Sequence, residues 1–390
     1  MILPRNRKRR GSLVFLVCAI FFSCAGTVPV VQDVDPFATE PPSVSPSPPP
    51  VPPPPSLELV AVGDNLIHIQ IITSSAVSRD GKAGYDFGPV YQYIKEDIAA
   101  ADIAFINQET LFAGEKFGLS GYPQFNGPVE LGQTLVDLGF DVVNHATNHV
   151  MDAGEAAVRV VIDYWEDRPD ITYLGIHASP EARERTKLVD ANGIRLGFLS
   201  YTYGTNGLPV PRNAPYLVSL TDTAIMAKEI DAIRPLCDYL VVSMHWGDEY
   251  DHKPTRRQEE LALFLAEHNV DLVIGHHPHV LQEMRSVKRP DGADMLVFFS
   301  LGNFVSAQNR LPTLLGGMAK VTLVKEGGAD GPVRWTAASL TPLVTHYERG
   351  YTGFRVYRFE DYPDELAARH GSGVMDLDRL REIITQIAGR

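Results

Sequence analysis

Gly275-His276-His277-Pro278-His279 sets three imidazoles within four positions and contains the only His-x-His of the chain. Charged together they would repel one another, and a core has little use for them. As neutral imidazoles they are nitrogen ligands for a borderline metal ion. Five further clusters carry polar chemistry: Gly63-Asp64, Asn107-Gln108-Glu109, the run from Asn144 to Gly154 with Asn148, His149 and Asp152, the His245-Trp246-Gly247-Asp248-Glu249 block, and Asn303. Each has a plainer use. A Gly-Asp pair is commonly a turn, Asn107 and Glu109 could cap the next segment, Asp152 could cap a helix, and His245 could be a hydrogen-bonded core residue. Together they offer imidazole, carboxylate and Asn carbonyl oxygen, the donor set of Mn, Zn or Fe. An oxygen-only Ca or Mg site would not need the histidines. Two such ions about 3.5–4 Å apart can clamp a phosphoryl group and activate water, and a neighbouring His can protonate the leaving oxygen.

The elements that position these residues are short apolar runs ending in the polar clusters. Leu57–Gly63, Ile103–Asn107, Asp141–Asn144, Thr172–Gly175, Ile194–Tyr201, Tyr239–Met244 and Leu272–Gly275 read as buried strands. Between them, helical spacing predicts helices over Phe87–Ala101, Pro128–Leu138, Gly154–Trp165, Asp222–Arg234 and Thr255–Asn269. This alternation predicts an α/β fold with largely parallel strands. Met295–Leu301, Met318–Val324 and Val333–Leu340 follow one another with short turns and should add antiparallel strands, and an amphipathic helix over Asp376–Ile387 should pack outside. In such sheets ligands bind beyond the carboxyl ends of the strands, where all six clusters fall.

Composition narrows the alternatives. The 390 residues, 44% hydrophobic, suffice for a sizeable core. Three Cys against twelve His exclude a disulfide-stapled mini-fold or a Cys-built zinc ribbon. A net charge of -13 sets nucleic acid aside as a partner.

Residues 1–23 hold five basic and no acidic residues, with an apolar run from Leu13 to Phe22. That run is shorter than the roughly 20 residues of a membrane span, and predicts a secretory signal peptide. Ser23-Cys24 resembles a lipoprotein box, so Cys24 is the expected lipidation site and membrane anchor, with simple secretion and an uncleaved anchor as alternatives. Ten of the fifteen residues from Pro41 to Pro55 are Pro. The linker 24–56 should therefore include a stiff polyproline II spacer, holding a domain over 57–390 off a membrane at the cell envelope. Cys237 is left without a disulfide partner.

The blocks Val62-Gly63-Asp64, Asn107-Gln108-Glu109-Thr110, Ala146-Thr147-Asn148-His149-Val150-Met151-Asp152-Ala153-Gly154, His245-Trp246-Gly247-Asp248-Glu249-Tyr250, Gly275-His276-His277-Pro278-His279-Val280 and Ser300-Leu301-Gly302-Asn303-Phe304 resemble the CapA family of poly-γ-glutamate capsule synthesis proteins. That family is similar in turn to the calcineurin-like metallophosphoesterases. The resemblance implies a four-layer αββα sandwich of two mixed sheets. It implies metal ligands at Asp64, Glu109, Asn148, His245, His277 and His279 for one or two ions, with Glu109 standing where those enzymes have a bridging Asp. It implies catalysis by His149 as general acid with Asp152, and substrate contacts from Asn107, Glu249, His276 and Asn303. The first strand lacks the Asp-x-His pair of the metallophosphoesterases and offers only His68.

Two functions follow: an extracytoplasmic metal-dependent hydrolase of phosphoesters, or a non-catalytic component that binds, exports or anchors an anionic polymer beside capsule-synthesis membrane subunits. A structural lipoprotein with a dead site is disfavoured by the retained His blocks. Arg256, Arg257, Arg285 or Arg310 is expected to supply local positive charge for an anionic substrate.

Overall fold

The computed structural model describes residues 53–328 and 331–388; the signal segment, Cys24 and most of the linker lie outside the described residues. The first strand, Ser56–Asn65, shows how the sandwich is built. Leu57, Leu59 and Ala61 face one core and Val60 and Val62 another, the two-residue alternation of a strand buried on both faces. Ile103–Asn107 repeats it, with Phe105 on one side and Ala104 and Ile106 on the other.

One sheet runs in the spatial order Thr352–Arg358, Val333–Glu348, Leu315–Lys325, Ser56–Asn65, Ile103–Asn107, Val142–Asn144, Thr172–Leu174, and Asn303–Val305 pairs with the end of the first strand. Its last four strands are parallel and its first three antiparallel additions. The second sheet runs Met284–Lys288, Asp294–Phe298, Leu272–His276, Tyr239–His245, Ile194–Thr202, Lys187–Ala191, with its four inner strands parallel. Leu59 and Phe105 meet Leu196, Val241 and Ile274 between the sheets. Helices Glu130–Leu138 and Gly154–Glu166 cover the outer face of the first sheet, and Thr223–Ile233 and Arg256–Glu267 that of the second. The chain is therefore an αββα sandwich of two mixed sheets.

Local chemistry sets the helix starts. Asp222 accepts from the N–H groups of Ala224 and Ile225, and Thr255 with Gln258 forms a capping box. The expected helix over Phe87–Ala101 is instead a 3-10 turn at Gly88–Tyr91 and a helix at Lys95–Ala100. Val90, Tyr91, Ile94 and Ile98 are buried across the pair, so the apolar spacing could not separate them. The strand expected over Val333–Leu340 runs on to Glu348. Edge strands Lys187–Ala191 and Met284–Lys288 were not foreseen, because they are half-exposed and mix charged with apolar residues. The final helix, Leu377–Ala388, packs Leu380, Ile383 and Ile387 against Leu281 and Leu315.

The segment Phe299–Gly302 crosses from the second sheet to the first and ties their carboxyl ends together. Leu301 N–H donates to the Gly275 carbonyl at 3.1 Å and Asp64 N–H to the Gly302 carbonyl at 2.8 Å. Two glycines admit this crossing by close approach. A Cβ at Gly275 would lie 2.0 Å from the Phe299 carbonyl oxygen, and one at Gly63 would lie 1.9 Å from that of Gly302. Backbone cannot yield as a side chain can. Gly275→Ala is therefore expected to cost about 1–3 kcal/mol or more, read as a lower midpoint in denaturant unfolding; an unchanged midpoint would show that the crossing moves freely.

Candidate metal centre

Strand register sets the functional side chains in two facing rows. Across the first sheet Asn303, Asp64, Asn107 and Asn144 stand side by side. Across the second, Thr202, His245 and His276 do the same. Asn144 Nδ2 donates to Asn107 Oδ1 at 2.7 Å, and Asn107 Nδ2 donates to Asp64 Oδ1 at 2.8 Å. Asn107 is thus fully buried and holds the Asp64 carboxylate.

The loop after His276 supplies the facing imidazoles. His277 (φ 97°) and His279 (φ 59°) both have left-handed backbone, which costs residues with a Cβ and persists where the surroundings enforce it. His279 Nδ1 lies 3.0 Å from Asp64 Oδ2, and the His277 N–H points at the same carboxylate at 3.3 Å. Glu109 lies between the rows, its carbonyl accepting from Thr147 Oγ1 at 2.8 Å. Its Oε1 is 3.6 Å from His245 Nε2 and 3.8 Å from His279 Nε2. Asn148 Oδ1 approaches the same His245 Nε2 at 2.9 Å.

Ligand atoms of Asp64, Glu109 and His279 lie within 4.8 Å of one another, as do those of Glu109, His245 and His277. Glu109 belongs to both groups. Its two carboxylate oxygens are buried without a hydrogen-bond partner, a costly state for an ionised carboxylate. Burial accordingly pushes its pKa well up, aided by Asp64 and Glu249 and opposed by His279. Burial also pushes Asp64 up, but the hydrogen bond and charge of His279 outweigh it and leave the carboxyl below its ordinary value. For His279 burial is overcome by Glu109 and Asp64, and the pKa rises to about 9. Burial holds His245 far below its usual value and His277 down at about 3, so both are neutral at pH 7, the form that binds metal. Mixed nitrogen and oxygen donors around an unpartnered buried carboxylate fit divalent cations.

His149 stands beside the two groups and in neither. Its Nδ1 lies 2.7 Å from Asp152 Oδ2, which also accepts from the Phe125 N–H at 2.7 Å. The helix at Gly154 starts at Ala153 without a side-chain cap, so Asp152 serves His149 and does not cap. The Phe125 ring stands edge-on to His149 with centroids 4.7 Å apart.

His276 is fully buried against Phe105, 3.6 Å from Asp64 Oδ1. Asn303 Nδ2 donates to Gln308 Oε1 and the Thr313 carbonyl, both at 2.9 Å, bracing the following loop. Glu249 is exposed at the mouth. His68 lies 3.1 Å from the Leu66 carbonyl and in no metal-ligating group among the described residues. Arg256 and Arg257 pair with Glu260, and Arg285 with Glu259 and Glu283. Arg310 lies 4.2 Å over the ring of Tyr250, the neighbour of Glu249.

Two site residues were missed. Tyr203 stacks parallel to His245 and packs against His277. Asn206 lies 3.3 Å from Asn148 Nδ2 and 3.4 Å from His149 Nδ1. Both sit just beyond the strand Ile194–Thr202, so the rule that found the other clusters would have reached them.

A profile of the family described as bacterial capsule synthesis protein PGA_cap matches residues 58–308. The chain is similar to the PGA biosynthesis protein CapA of Bacillus subtilis (strain 168), 28% identical over 246 residues, 61% of this chain and 62% of that protein. It is similar to the capsule biosynthesis protein CapA of Bacillus anthracis, 30% identical over 236 residues, 59% of this chain and 55% of the relative. The chain thus spans less than two thirds of either relative. Among solved structures it is similar to the NAD nucleotidase of Haemophilus influenzae, with TM-score 0.42 and 11% identity, covering 85% of this chain and 59% of that one. A putative 5'-nucleotidase from Staphylococcus aureus aligns with TM-score 0.43 and 14% identity, covering 74% and 54%.

Proposed function

We propose an activity for a chain that belongs to the bacterial capsule synthesis protein family PGA_cap: metal-dependent hydrolysis of a phosphoester at the cell envelope, in the service of capsule synthesis. The observation that carries it is Glu109, a buried carboxylate with two unpartnered oxygens shared between two ligand groups. Asp64, Glu109 and His279 would hold one ion, and Glu109, Asn148, His245 and His277 a second. The ions would supply Lewis acidity toward a phosphoryl oxygen and lower the pKa of a water. Mn, Zn and Fe all suit these donors.

The protein's own part is orientation and proton transfer. Asn107 fixes the Asp64 carboxylate, and Asn206 spans Asn148 and His149. Asp152 holds Nδ1 of His149, which leaves Nε2 to carry a proton to the departing oxygen. Phe125 and Tyr203 wall the two sides. A panel of aryl and alkyl phosphomonoesters and diesters, assayed with metal content measured in the same samples, tests this reading. Turnover dependent on bound metal is expected; metal-loaded protein inert across the panel would contradict it.

The relatives' names favour a second reading, in which the same centre binds an anionic capsule polymer such as poly-γ-glutamate without cleaving it, beside membrane subunits of the synthesis machinery. Polymer retention without turnover by the metal-loaded protein would support that reading.

The proposed location is outside the cytoplasm, with the domain anchored through lipid on Cys24. No helix among the described residues is long and apolar enough to cross a membrane. Cys24→Ala is expected to move the protein from the membrane to the soluble fraction. Retention in the membrane fraction would point to an uncleaved apolar anchor.

A further inference from the structure

Beyond the buried ligands, one exposed carboxylate stands at the mouth of the centre. An oxygen of Glu249, a ring nitrogen of His277 and one of His279 all lie within 4.8 Å of one another. These two histidines belong to different ligand groups, so Glu249 faces both at once. His277 Nδ1 is buried and has no hydrogen-bond partner. The segment that carries Glu249 is fixed to the histidine loop. Tyr250 N–H donates to the Pro278 carbonyl at 2.8 Å, with Tyr250 in a left-handed conformation at φ 70°. The Tyr250 ring is held from outside by Arg310, and its hydroxyl accepts from Gln308 Nε2 at 3.3 Å.

Resting on the metal centre proposed above, we infer that Glu249 is a further metal ligand: a displaceable carboxylate that covers the open coordination face until an incoming anion takes its place. Buried ligands would hold the ions from the strand ends, and Glu249 would reach them from the solvent side, where a phosphoryl group would have to enter. An exposed carboxylate, hydrogen-bonded to the Tyr250 side chain, gives way more readily than the buried Asp64 and Glu109. Glu249 therefore strengthens metal binding and weakens anion binding; a surface charge acts in the same directions but far more weakly across solvent, whereas a substrate contact would strengthen anion binding.

The test uses the full chain stripped of metal and titrated with Mn²⁺ alone, followed by inorganic phosphate binding to the loaded protein. Glu249→Gln, with Glu249→Ala as a second variant, is expected to lower affinity for at least one ion by about 10- to 100-fold, a loss that follows even from removing groups that only orient ligands. Phosphate affinity should rise in the same variants. Asp248→Asn, which removes a neighbouring exposed charge outside the ligand group, should change neither. Unchanged Mn²⁺ affinity in both Glu249 variants, or equal effects from Asp248→Asn, would overturn the assignment. A wild-type chain that binds no Mn²⁺ would defeat the metal centre itself, and this inference with it.

Discussion

Replacing His277 and His279 together by Ala is expected to abolish stoichiometric metal binding. The pair gives one nitrogen to each of the two ligand groups, so its loss leaves Asp64 and Glu109 facing His245 and Asn148 with neither group complete. A single missing outer partner typically weakens metal binding by about 10- to 100-fold, and two missing ligands should exceed that. Both residues lie on a loop beyond the strand Leu272–His276 and make no strand pairing, so the sandwich should persist. Elemental analysis of the purified variant, with circular dichroism to confirm the fold, reads the result. Full metal content at unchanged affinity would remove the His-x-His from the site.

The second large effect concerns His149. Asp152 holds its Nδ1 and no ligand group contains it, so His149→Ala should retain metal while turnover falls by about 10²- to 10⁴-fold, the range for losing a positioned acid or base. The loss should be smaller for a nitrophenyl ester, whose leaving group needs little protonation, than for an alkyl ester. Equal losses across leaving groups would indicate damaged binding, and lost metal would make His149 a ligand.

Much of this arrangement was legible in the sequence because strands announce their ends. Asp64, Asn107, Asn144, His245 and His276 all lie at the carboxyl ends of strands whose apolar runs are plain in the sequence. The likeness to a family supplied their pairing into ligand groups, which no local pattern contains. What stayed hidden depends on distant packing. The interposition of Asn107 between Asp64 and Asn144 follows from the register of three separate strands. Asp152 looked like a helix cap because its position beside Gly154 suits one, yet the Phe125 N–H and His149 claim its carboxylate. Arg256 and Arg285 could not be placed from their distance along the chain alone; both pair with glutamates of the helix Arg256–Glu267. The edge strands went unseen because exposure on one side dilutes their apolar signal.

Glu109, a buried carboxylate shared by two ligand groups, would join two metal ions across the carboxyl ends of the two sheets. Crystals of the metal-loaded protein, measured at the absorption edge of the bound metal, test it most directly. The account predicts two anomalous peaks about 3.5–4 Å apart, one beside Asp64 and His279, the other beside Asn148, His245 and His277, with Glu109 contacting both. Metal-loaded crystals with no peak among these residues, or with peaks that Glu109 does not touch, would contradict it.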